Sequence, residues 1–298
     1  MGRWSVAAAL ALALSVPGPR AQEPTGPPGP GEWIAFVRSS LEGDTAIYVM
    51  HADGTEPQQI TEGRSIDGVT WSPEGARLAF VDETDNGTVV YLVNPDGTGP
   101  VRLTDDATYC ASRPTWSPTG RPIAFQSYGQ EGDGVYLVDA DGTNLRRVPN
   151  TGDAWDVCWS ADGRRIAVAG YHEPGIYTLD LDGTGRTRLT TTHADEGLAW
   201  SPDGTRIAFC TAQEGELRVI NTDGTNEHAL PLTPNTSCGA PCWSPDAKQI
   251  AFMREGDEGS IICVINADGT GLTELTAGPM DHSPAWWGPR PKKRLLGP

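Results

Sequence analysis

Trp200-Ser-Pro-Asp-Gly-Thr-Arg-Ile-Ala-Phe-Cys210, followed by Leu217-Arg-Val-Ile-Asn221 and Thr222-Asp-Gly-Thr225, is one copy of a unit that recurs along the whole chain. The Trp-Ser-Pro-Asp-Gly motif or a near relative begins at Trp71, Trp116, Trp159, Trp200 and Trp243, and a sixth copy degenerates to Trp286-Trp287. The intervals are 45, 43, 41, 43 and 43 residues. Between them the triplet Asp-Gly-Thr starts at Asp53, Asp96, Asp141, Asp182, Asp223 and Asp268. A period of about 40–45 residues belongs to a four-stranded propeller blade.

The residues of one unit assign its strands. Gly197-Leu-Ala enters an inner strand, A, that ends at Trp200. Ser201-Pro-Asp-Gly turns the chain, with proline fixing φ near −65° and glycine taking the left-handed position. Arg206–Cys210 is strand B and Leu217–Asn221 is strand C. Asp-Gly supplies the positive φ of the next hairpin, and a short strand D follows. Ala161 replaces the proline and Ala247 the glycine in two copies. Alanine in a left-handed position costs about 1–2 kcal/mol, so the last full unit is expected to turn differently.

The chain starts with B, C and D strands (Trp33-Ile-Ala-Phe-Val, Ala46-Ile-Tyr-Val-Met, Gln59-Ile-Thr) and finishes with one inner strand, His282–Trp286. With five full units between, the expectation is an all-β, six-bladed propeller of four-stranded antiparallel blades. Its N-terminal strands pair with the C-terminal inner strand, which closes the ring and removes open edges. A Trp at one place in every unit reads as inter-blade packing, because burying an indole withdraws about 150–250 Å² from water.

Residues 1–21 read as a secretory signal: Arg3, the short apolar run Val6–Leu14, then Pro17. Cleavage after Ser15 and after Ala21 both fit. Residues 22–31 form a Pro/Gly-rich linker, 32–288 the propeller and 289–298 a basic tail with Arg290, Lys292, Lys293 and Arg294. No later stretch is apolar enough to span a bilayer, so the expected location is periplasmic or secreted. Cys110, Cys158, Cys210, Cys238, Cys242 and Cys263 are then buried small hydrophobes with one or two bridges among them. Six cysteines allow fifteen pairings, and the sequence leaves them all open.

Units such as Trp200-Ser-Pro-Asp-Gly-Thr-Arg-Ile-Ala-Phe with Asn221-Thr-Asp-Gly-Thr resemble the WD-like propeller repeats of the TolB family, over nearly all of Trp33–Trp287. The namesake of that family has an α/β domain ahead of its propeller and works in the periplasmic Tol-Pal envelope complex. The expectation here is a propeller without that domain. Similar repeats build the propeller of prolyl-oligopeptidase-type hydrolases, though no hydrolase domain is expected.

The strand assignment places B–C and D–A loops together at one mouth of the channel. Those loops hold more than half of the chain's 39 Asp and Glu, against Arg38, Arg64, Arg113 and Arg254. The other face, with Arg77, Arg102, Arg146, Arg147, Arg186 and Arg188 among its cations, is expected to balance. An acidic mouth attracts cations and basic partners and repels nucleic acid. Asp67, Arg113, Trp155, Asp156, Asp195, Glu196, Asp281 and His282 lie just before their blade Trp and form the expected binding ring. Tyr109 and Trp155 suit stacking on a sugar and anchoring a protein partner equally. Asp-Gly-Thr turns echo calcium loops without the terminal Glu and read as hairpins. His172, His193 and His282 share the mouth side without metal-ligand spacing. No cofactor is expected, with Ca²⁺ the ion that mouth carboxylates would suit. No hydrolase, metalloprotease or phosphate-loop motif occurs.

The leading expectation is an exported, non-enzymatic binding or scaffold propeller engaging an envelope or extracellular protein, preferably a basic one. Two alternatives stay open: metal-assisted hydrolase or lyase chemistry on a sugar or lactone at the mouth, and a passive structural module.

Overall fold

The computed structural model describes residues 31–105, 109–129, 132–190, 196–211, 214–232, 236–257, 259–278 and 280–289. The signal segment, most of the linker and the basic tail lie outside the described residues. Strands are numbered β1–β24 in chain order, and they form six four-stranded antiparallel sheets.

Blade I combines β1 (Trp33–Ser39), β2 (Thr45–His51) and β3 (Gln58–Gly63) with the last strand, β24 (Asp281–Trp287). Blade II is β4 (Asp67–Trp71), β5 (Leu78–Glu83), β6 (Thr88–Val93) and β7 (Val101–Arg102). Blade III is β8 (Tyr109–Trp116), β9 (Ile123–Gly129), β10 (Gly134–Val138) and β11 (Arg146–Arg147). Blade IV is β12 (Ala154–Trp159), β13 (Arg165–Gly170), β14 (Gly175–Asp180) and β15 (Thr187–Arg188). Blade V is β16 (Glu196–Trp200), β17 (Arg206–Cys210), β18 (Leu217–Asn221) and β19 (His228–Ala229). Blade VI is β20 (Ser237–Trp243), β21 (Gln249–Gly256), β22 (Gly259–Asn266) and β23 (Thr273–Glu274). The ring closes as expected, with Trp33 opposite Trp287 and Arg38 opposite Asp281.

The motif residues explain the repeat. Strand B is covered by its own sheet neighbours and by both adjacent blades, so it reads as a continuous apolar run. The Ile-Ala-Phe cores at Phe36, Phe125, Phe209 and Phe252 are accordingly fully buried. Trp71, Trp159 and Trp243 donate their indole N–H to Ala285, Thr115 and Ala199, each the residue just before the Trp of the preceding blade. At these three positions the Trp both fills the gap between blades and ties them together, whereas Trp116 donates to Gly120 O in its own turn. The motif serine is buried in the A–B turn: Ser201 Oγ donates to Asp203 and accepts the Arg206 N–H. In each Asp-Gly-Thr turn the Asp carboxylate accepts its Thr amide and hydroxyl, as Asp182 does from Thr184 at 2.9 and 2.6 Å.

Two expectations change in detail. Ala247 does take the left-handed position, φ 59°, and its turn repeats the others, with Ala247 N–H donating to Ser244 O and Ser244 N–H to Gln249 O. The strain is offset by a buried methyl group and by Arg206, which donates to the Ala247 carbonyl. The Asp-Gly-Thr glycines do more than turn. A Cβ on Gly183 would stand 2.6 Å from Pro149 O, so this turn packs backbone to backbone on the preceding blade.

One disulfide is present among the described residues, Cys210–Cys238, joining β17 of blade V to β20 of blade VI. Cys158 and Cys263 are buried thiols, Cys242 is half-buried and Cys110 is exposed. None of the described residues forms a helix long and apolar enough to cross a membrane.

Candidate binding site at the channel mouth

Every inner strand is bulged against its neighbour three to four residues before the blade Trp, because a straight strand would run past the axis rather than turn its residues toward it. Five of the six bulge residues have positive φ: Gly68 (66°), Arg113 (48°), Gly197 (83°), Ala240 (46°) and Ser283 (51°). On β12 the residue left out of the ladder is Trp155, and Asp156, which follows it, takes another route. Its Oδ1 accepts the Val157 N–H and its Oδ2 the Leu198 N–H of the next blade, both at 2.8 Å. A side chain thus satisfies backbone amides at the bulge and links blades IV and V.

The bulges surround a channel of about 560 Å³ whose lining includes Asp67, Arg113, Asp156 and His282. Arg113 Nη1 lies 3.6 Å from Asp156 Oδ2, and its guanidinium stands 5.5 Å from the Trp155 ring centre. Burial pushes the Asp156 carboxyl above its ordinary value, while Arg113 and the two amides favour the ionised form. His282 Nε2 is 3.2 Å from Ser39 Oγ and its Nδ1 is 3.1 Å from Ser283 Oγ. Burial lowers the His282 pKa, partly reversed by the carboxylates of Asp67 and Asp281. At neutral pH its imidazole is uncharged.

The expected ring is thus assembled in part. Asp67, Arg113, Asp156 and His282 share the channel. Asp281 lies behind it, fully buried and held at two points by Arg38. Trp155 stands outside the lining as an exposed rim residue, 6.4 Å from the exposed Tyr171, whose ring meets His172 edge-on. Tyr109 and Glu196 open β8 and β16. Asp195 and His193 lie outside the described residues. Sequence reasoning missed Tyr171, although its place in a B–C loop was a usable signal, and the apolar channel residues Met253 and Met280. Among the described residues, no group of three or more His, Cys, Asp or Glu is arranged to hold a metal ion.

The balance of charge between the faces also needs correction. Arg186 pairs with Asp153, while Arg147 and Arg188 donate to Asp133 O and Pro174 O. These guanidinium groups reach mouth-side segments rather than the opposite face. Strand twist of about 20–25° per step accumulates outward, so the fourth strand no longer belongs cleanly to either face.

A model of the TolB β-propeller domain matches residues 68–237. The chain belongs to the TolB β-propeller family. Among solved structures, this TolB-type propeller is similar to TolB from Acinetobacter baumannii, at 18% identity and TM-score 0.74, covering 87% of this chain and 67% of that one. The putative TolB from Agrobacterium tumefaciens aligns at 18% identity and TM-score 0.65, over 83% and 89% of the two chains. A chain of a nidogen/laminin complex aligns at 13% identity and TM-score 0.71, over 86% and 98%. At these identities the likeness is one of fold. No curated protein matches the sequence.

Proposed function

We propose that this TolB-type propeller is an exported, non-catalytic binding module that holds an envelope or extracellular protein against its channel mouth. The observation that carries the reading is the exposed Trp155–Tyr171 pair beside Arg113 at the rim. Large rigid aromatics next to arginine are the groups that anchor protein interfaces. Two of the mouth carboxylates hold the fold itself: Asp156 accepts two backbone amides and Asp281 pairs with Arg38. Family membership and the N-terminal apolar segment support a periplasmic or secreted location. The carboxylates of the mouth loops favour a basic partner, whose approach they would accelerate at low salt.

The test is affinity capture from envelope extract with the tagged chain, beside a Trp155→Ala/Tyr171→Ala double variant and a far-side control, Asp268→Asn. A protein held by the native chain and the control but lost by the double variant supports the reading. Equal capture by all three would remove the mouth as the site, and no specific capture by any would remove the binding function.

A further inference from the structure

We infer that the channel mouth seats one basic side chain of the partner, with Asp67 as its counter-ion; this deepens the binding reading and rests on it.

The charges inside the channel do not balance. Asp281 is matched by Arg38 and Asp156 by Arg113. Asp67 lines the same channel, and among the described residues no cation lies within ion-pair distance of its carboxylate. His282 is near enough to feel Asp67, yet supplies no compensating charge: both of its ring nitrogens face serine hydroxyls, and burial disfavours the imidazolium. Glu255 adds a third carboxylate to the lining. Of the charged residues around the channel, Asp67, Asp156 and Glu255 therefore face Arg113 alone.

An unmatched carboxylate in a confined channel selects for a cation, since the low-dielectric walls focus its field. The shape favours an organic cation on an aliphatic stem. A channel of about 560 Å³ has room for a lysine or arginine side chain, and Met253 and Met280 offer apolar wall to its methylenes. Asp67 sits on the bulged start of β4, between blade I with His282 and blade III with Arg113. Arg113 repels a second cation on its own side, which directs the incoming charge to Asp67 and His282.

The probes are three acetylated, amidated pentapeptides, Gly-Gly-Xaa-Gly-Gly with Xaa lysine, arginine or norleucine, titrated into the full chain by NMR at low ionic strength. The native protein should bind the lysine or the arginine peptide at least tenfold more tightly than the norleucine peptide. Asp67→Asn should erase that ratio, whereas Glu42→Gln, an exposed carboxylate in the β1–β2 loop, should retain it. Circular dichroism and thermal melting confirm that each variant is folded. A native ratio near one, or a ratio that survives Asp67→Asn, overturns the inference. The amine titration needs no partner, so its failure leaves the capture experiment standing, and a failed capture leaves the titration standing.

Discussion

Arg38 and Asp281, 243 residues apart, meet through two parallel hydrogen bonds, Nε to Oδ1 at 2.6 Å and Nη2 to Oδ2 at 2.8 Å. Asp281 is fully buried, and the guanidinium lies 4.8 Å from the Tyr48 ring centre. The pair sits where the first strand meets the last, so it fastens the ring at its closure.

Replacing Arg38 by Met should leave a buried carboxylate without its cation. Breaking such a pair costs about 3–5 kcal/mol, and the lower end applies because Arg38 is partly exposed. Asp281→Asn keeps the shape and one acceptor and should lose only about 1–2 kcal/mol. Urea denaturation measures both. A loss under about 0.5 kcal/mol for Arg38→Met, the size of an ordinary surface change, would mean that closure does not depend on the pair.

His282 gives a titration with a definite sign. Its pKa is lowered in the folded state, so its contribution to stability is complete above the unfolded value of about 6.5 and is lost as pH falls through that value toward the folded one. NMR should place its midpoint below about 6.5. Asp67→Asn should move it lower still, because the Asp67 carboxylate favours the imidazolium. A midpoint unmoved by Asp67→Asn would separate the two side chains and weaken the channel geometry.

The Cys210–Cys238 bridge spans 28 residues and should be found by mass spectrometry as a linked peptide that reduction separates. Restricting the unfolded chain over such a loop contributes about 3–4 kcal/mol. Cys210→Ser/Cys238→Ser should lower the unfolding free energy from urea denaturation by that order, and reducing agent should then have no further effect on the variant. An equal response to reductant in both proteins would assign the effect to other thiols.

Ala247→Gly should be close to neutral, within about 0.5 kcal/mol. Relief of left-handed strain returns about 1–2 kcal/mol. Against it stand a lost buried methyl, about 0.8 kcal/mol, and the greater unfolded-state freedom of glycine, about 0.4–1 kcal/mol. Thermal melting decides. A gain above about 1 kcal/mol would show that the methyl contributes little to the packing between blades V and VI.

The repeat made the architecture legible because each motif residue acts locally. Trp fills the gap between blades, Ser and Asp hold one turn, and Asp-Gly-Thr holds the other. Ring closure followed from counting strands at the two ends. The candidate site was legible only in part. Asp67, Arg113, Asp156 and His282 reach the channel because they sit at the bulge, but the sequence did not mark the bulge. Asp281 precedes His282 by one residue, and strand alternation turns it to the opposite side, into Arg38. Arg147, Arg186 and Arg188 were misplaced because blade twist is a property of the assembled sheet and leaves no trace in residue spacing.

Closure between β1 and β24 also sets a timetable. At synthesis rates of about 5–20 residues per second, tens of seconds separate the emergence of Trp33 from that of Trp287. Through that interval β1 has no inner neighbour, and its buried Ile34-Ala-Phe-Val37 run is an open, apolar edge. The ring therefore forms only after nearly the whole chain has been made. Until then the first blade is the segment a chaperone would need to shield.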